Sequence, residues 1–145
     1  MFYAFSLGYP IITNSAVWIT EIFLMKSVDI YERTFQYSLR TFKLYEAVKQ
    51  SRHSAGDVLC RQYLRSATSI GANVQEAQHA ESKSDFIHKL SIARKEARES
   101  HYWLRLLCES EIVAPKRLAP LLQETTELIA VLTGIILSAK KKNVK

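Results

Sequence analysis

The chain is short of the residues that punctuate or staple a fold: four glycines, three prolines and two cysteines in 145 residues. So little glycine and proline excludes a many-stranded β fold, which needs turn residues at close intervals, and excludes collagen-like and low-complexity chains as well. Cys60 and Cys108 lie far apart and neither belongs to a C-x-x-C pair. Zinc and thioredoxin-like motifs therefore have no support, and a reducing cytoplasm is the expected compartment. Catalytic motifs are missing too. Gly71 stands alone in a helical stretch, so there is no phosphate-cradling loop, and no motif joins a Ser, a His and an acid. A di-metal bundle needs Glu-x-x-His on two helices; that spacing occurs once, at Glu76-Ala-Gln-His79, with the Glu on the outward face. His53, His79, His88 and His101 are scattered. The expectation is a non-enzymatic protein with no catalytic residue, no metal and no cofactor.

What is present suits one helical domain. Hydrophobic residues make up 48% of the chain, enough for a single core at this length. Twenty Lys and Arg against fourteen Asp and Glu give a net charge of +6, which favours an acidic partner such as nucleic acid or an anionic surface. Met1 to Thr20 carries no charge, but Ser6, Gly8, Pro10, Thr13, Asn14 and Ser15 interrupt it, and no Lys or Arg precedes it. It is therefore a poor bilayer span and a poor signal peptide. Residues 1–24 are read as an upstream extension or a poorly ordered arm, residues 25–145 as the domain with a basic C-terminal tail, and a membrane role is not expected.

Apolar spacing predicts four helices. From about Asp29 to Gln50, Tyr31, Phe35, Leu39 and Phe42 recur at helical intervals and mark the expected core face, with Lys26, Arg33 and Arg40 opposite. Arg52 to Gly56 reads as a loop and Asp57 as the cap of a second helix running to about His79. Its seam is Cys60, Leu64, Ala67, Ile70, Val74 and Ala77. Ser82 or Ser84 caps a third helix from Asp85, which turns Phe86, Leu90, Ala93, Ala97, Leu104 and Leu107 or Cys108 inward. Pro115 opens a fourth, with Leu118, Leu121, Leu122, Thr125, Leu128, Ile129, Leu132 and Ile136 on one side. Short connections between long amphipathic helices predict an all-α, up-down-up-down antiparallel four-helix bundle.

Two outward surfaces stand out. On the second helix Arg65, Ser69, Asn73 and Glu76 share a face of small and polar residues; on the third Ile92, Glu96, Glu99 and Trp103 share a flank. Small residues admit another backbone, and Trp and Arg are enriched at protein contacts, so these eight are candidate subunit-interface residues of a homo-oligomer. The alternative is that Arg65 and Glu76 satisfy one another or the third helix within one chain. Lys26, Arg33, Arg40 and Lys43 form a basic stripe, in a segment (residues 26–65) with eight positive and four negative charges. They are candidate phosphate contacts for RNA or DNA, with a solvated helix face as the alternative.

The run Tyr63-Leu-Arg-Ser-Ala-Thr-Ser-Ile-Gly-Ala-Asn-Val-Gln-Glu-Ala77, then Ser82-Lys-Ser-Asp-Phe-Ile-His-Lys-Leu90, Ala93, Glu96, Glu99 and Trp103-Leu104, resembles a bacterial family. It is the four-helix-bundle family met as reading frames within intervening sequences of 23S ribosomal RNA. The resemblance covers about Met25 to Lys141, with Arg65, Ser69, Asn73, Glu76, Asp85, Phe86, Glu96 and Glu99 at its motif positions. That family is similar to the accessory variability protein of diversity-generating retroelements. The similarity implies a ring-like homopentamer and binding to RNA or DNA. The expected function is non-specific nucleic-acid binding by an oligomeric bundle; the alternative is a scaffold that recruits another protein without touching nucleic acid.

Overall fold

Between Pro10 and Gly56 the chain has neither glycine nor proline, so nothing in that stretch breaks a helix. Helix α1 accordingly runs Ser15–Gln50, well upstream of the start that the apolar spacing marks, and passes through residue 24 without a break. The computed structural model describes the backbone of residues 15–141 and the side chains of residues 30–141. Most of the expected extension, the Lys26 side chain and the end of the basic tail lie outside the described residues. Three further helices follow: α2 (Ser54–Gln78), α3 (Lys83–Glu109) and α4 (Pro115–Lys141).

The caps explain the boundaries. Helix α2 is capped by His53, not Asp57: the His53 Nδ1 accepts from the Gly56 N–H at 3.0 Å. Asp57 sits in the first turn, where a carboxylate suits the helix dipole, and bonds Arg61 one turn on. Ser82 caps α3 by accepting from the Asp85 N–H at 3.1 Å, while Asp85 returns a bond from the Glu81 N–H. Pro115 is the first residue of α4, where its missing N–H costs nothing. Arg52 (φ 55°) and Glu111 (φ 58°) carry the chain out of α1 and α3 in the left-handed conformation that glycine usually supplies.

Each helix packs on its sequence neighbours, and α4 closes the bundle against α1. The α1–α4 partners run in opposite senses, Arg33 with Glu127, Tyr37 with Thr125 and Arg40 with Glu124, so these helices are antiparallel. The core faces of α2, α3 and α4 follow the apolar stripes closely. Cys60, Ala67, Ile70, Val74 and Ala77 are buried on α2, Leu90, Ala93, Ala97, Leu104 and Leu107 on α3, and Leu118, Leu121, Leu128, Leu132 and Ile136 on α4. Tyr63, rather than Leu64, completes the α2 seam, and Cys108 and Phe86 are only partly buried.

Helix α1 is turned the other way. Its buried face is Ile30, Thr34, Tyr37, Thr41, Leu44 and Val48, whereas Phe35, Leu39 and Phe42 point outward at 53%, 41% and 48% exposure. Three of the six inward side chains carry hydroxyls, and each is satisfied. Thr125 donates to the Leu121 carbonyl at 2.6 Å, so the Tyr37 hydroxyl donates to Thr125 Oγ1 at 2.6 Å, and Tyr63 donates to Tyr37 at 3.1 Å. Thr41 lies 3.0 Å from the Tyr63 hydroxyl, and Thr34 bonds the Ile30 carbonyl at 2.9 Å. A hydroxyl so paired is buried at little net cost. Gly71 lets α1 approach α2 closely: a Cβ there would lie 3.3 Å from Ser38 Oγ and 3.5 Å from the Thr34 carbonyl oxygen.

Candidate nucleic-acid interface and subunit surfaces

The basic stripe of α1 divides in two once α4 is in place. Arg33 bonds Glu127 and lies 3.7 Å from Glu124, and Arg40 bonds Glu124. Both guanidiniums pair with α4 carboxylates, Arg40 while still exposed and Arg33 while partly buried; Arg33 holds the Glu127 carboxyl below its usual range. Lys43 is exposed and makes no ion pair among the described residues. The exposed Arg117, which helical spacing on α1 gives no reason to pick out, is equally unpaired and lies across from Lys43 at the start of α4.

Of the expected subunit-interface residues, Arg65, Glu99 and Trp103 are brought together at the α2–α3 seam. Arg65 Nη2 donates to Glu99 Oε1 at 2.6 Å, and Trp103 Nε1 donates to the same oxygen at 3.2 Å. Lys89 bonds Glu76, which together with its charge raises the lysine pKa. Asn73 Nδ2 donates to the Ser69 carbonyl at 2.9 Å, beside a buried Ser100–Ser66 hydroxyl bond of 2.9 Å. Ile92 and Trp103 are half-buried, and Glu96 keeps one buried oxygen without a partner. Arg65 and Glu76 thus take partners on α3 of their own chain. Both remain exposed, so a second subunit would extend these pairs rather than supply them. The surface that apolar spacing assigned to the core, Phe35, Leu39 and Phe42, is left open on α1. Its counter-signal in the sequence is the 4-3-4-3-4 spacing from Ile30 to Val48, masked by the hydroxyls within it.

Cys60 and Tyr37 are placed as packing residues. Cys60 is fully buried, and burial together with the nearby Asp57 charge pushes its thiol up to about 12, far from a reactive thiolate. Burial likewise raises the Tyr37 phenol to about 12. Among the described residues, no three of His, Cys, Asp and Glu converge to hold a metal ion.

Comparisons agree with this architecture. The chain is similar over 77% of its length to a crystal structure of a protein of unknown function from the S23 ribosomal protein family of Bacteroides thetaiotaomicron. The two share 36% identity and a TM-score of 0.70, and the match spans 97% of the other chain. A comparison with curated proteins found no match. The family model for the 23S rRNA-intervening sequence protein matches residues 26–134. A match over that much of a four-helix chain means that this protein belongs to the 23S rRNA-intervening sequence protein family.

Proposed function

We propose that this is a non-enzymatic, cytoplasmic, oligomeric bundle that binds nucleic acid without sequence preference. The observation that carries the reading is positive charge left over after internal pairing. Lys43, Arg52, Lys95, Arg98, Lys116 and Arg117 are exposed and make no ion pair among the described residues, in a chain of net charge +6. Such cations attract phosphates and release counterions on contact. The 23S rRNA in the family's name is an RNA context that fits this charge. Self-association is supported by the stripe Phe35, Leu39 and Phe42, too apolar to face water along two turns of helix. The outer face of α4 adds Ala130, Gly134 and a half-exposed Leu137; a Cβ at Gly134 would meet nothing within 4 Å, which leaves room for another helix. The ring-like pentamer implied by the family resemblance is the assembly proposed.

Light scattering of the full chain, with and without a structured RNA at low and high salt, tests both parts. An oligomer that takes up RNA at low salt and releases it steeply as salt rises supports the reading; absence of RNA uptake at low salt removes the nucleic-acid part, and a monomer removes the assembly. The second reading is a scaffold that recruits another protein onto the α1 stripe. It predicts no RNA uptake at any salt and protein binding that salt does not weaken.

A further inference from the structure

Lys43 and Arg117 are remote in sequence, and folding α4 onto α1 sets them on the rim of one cleft of about 260 Å³. Its floor is Leu44 and Leu121, each 7% exposed, and Pro120 forms a rigid wall. Arg40 is the third cation of the rim, and Glu124 is the lining's single acid. That carboxylate bonds Arg40 and sits 3.7 Å from Arg33, and no ion pair joins it to Lys43 or Arg117. The first turn of α4 contributes no acidic residue either. Three cations therefore surround a cleft with an apolar floor and a single acid, which Arg33 shares, and this positive excess is one that an entering anion relieves.

We infer that this cleft binds a phosphate group. The unpaired Arg117 guanidinium can grip phosphate oxygens with paired N–H donors, Arg40 adds the N–H groups that its bond to Glu124 leaves over, and the lysine adds a compact charge. The inference rests on the nucleic-acid reading and sharpens it: the group bound is a backbone phosphate of RNA or DNA. The lining holds no aromatic ring to stack a base and no amide side chain to read one, so occupancy does not depend on sequence.

Fluorescence anisotropy of the full chain with a labelled structured RNA, from about 50 to 200 mM salt, is the first arm. Lys43→Ala and Arg117→Ala are compared with Arg105→Ala, an exposed α3 cation already paired with Glu109, after circular dichroism shows that all three melt like the parent. Each cleft substitution is expected to weaken binding about tenfold at low salt. Each should also flatten the plot of log affinity against log salt by about one unit, equally for RNAs of unrelated sequence. Arg105→Ala should change neither. The second arm is calorimetric titration with inorganic pyrophosphate, whose heat should vanish in both cleft variants. Pyrophosphate binding that needs both residues, without any RNA binding, keeps the cleft and removes the nucleic-acid source of its ligand. RNA binding that neither substitution alters, with no pyrophosphate heat, overturns the cleft and leaves the nucleic-acid reading standing.

Discussion

The Tyr37 hydroxyl sits at the centre of a buried chain of donors, giving to Thr125 and receiving from Tyr63, so its removal leaves two neighbours short of a partner. Tyr37→Phe is expected to cost about 1–3 kcal/mol in urea unfolding, because the loss lies in the unsatisfied neighbours rather than in the bond itself. Tyr37 and Cys60 also predict how the fold responds to alkali. Both have folded pKa values raised to about 12 by burial, above unfolded values near 10 for the phenol and about 8.5 for the thiol. The stability they contribute is complete below the unfolded values and drains away as pH climbs towards 12. Urea midpoints should hold steady from neutrality to about pH 8 and then fall, and a thiol reagent should leave Cys60 unmodified at pH 8 in the native protein.

At the scale of the element, α1 presents two seams, and the fold buries the less apolar one. Substituting Phe35 and Phe42 by Ser should therefore change the unfolding free energy by only about 0.5 kcal/mol per site, as for other exposed positions. The same pair should lower the assembled mass in light scattering if the stripe joins subunits. Arg65→Ala and Trp103→Ala, on the α2–α3 seam, should leave the mass unchanged; a fall in those variants instead would place the interface there. The start of α2 allows a sharper test. A Cβ at Gly56 would lie 2.8 Å from Ile112 Cγ2 and 3.2 Å from Val48 Cγ1, and both atoms are branches near a backbone. Gly56→Ala should destabilise the fold by about 1–3 kcal/mol, read as a lower melting temperature.

Across the whole molecule, charge is sorted into pairs that brace the bundle and cations that do not. Arg33 and Arg40 tie α1 to α4, Arg65 ties α2 to α3, and all are partly exposed, where such pairs contribute little and salt screens them. The unfolding midpoint should therefore shift only slightly between about 50 and 200 mM salt, while RNA affinity over the same range falls by orders of magnitude. A parallel loss of both would mean that the bundle itself, rather than its ligand, depends on the ion pairs.

Four helices, their order and three of their four buried faces could be read from the chain alone, because helical spacing of Leu, Ile, Val and Ala is a local pattern that burial simply rewards. Ser82, one of the two serines offered as the α3 cap, and the opening proline Pro115 were nearly as legible, since a cap acts on the turn beside it. The inward face of α1 was not. Thr34 and Thr41 can bond carbonyls of their own helix, but the Tyr37 hydroxyl is acceptable inside only when Tyr63 and Thr125 arrive from α2 and α4 to bond it, and that arrival is a tertiary event. The same holds for the cleft. Lys43 was visible as a cation, but its neighbour Arg117 and the engagement of Glu124 by Arg33 and Arg40 exist only after α4 docks. Periodicity along one helix determines which side can be buried; which side is buried, and which charges meet, depends on groups that only the packed bundle brings within a few ångströms.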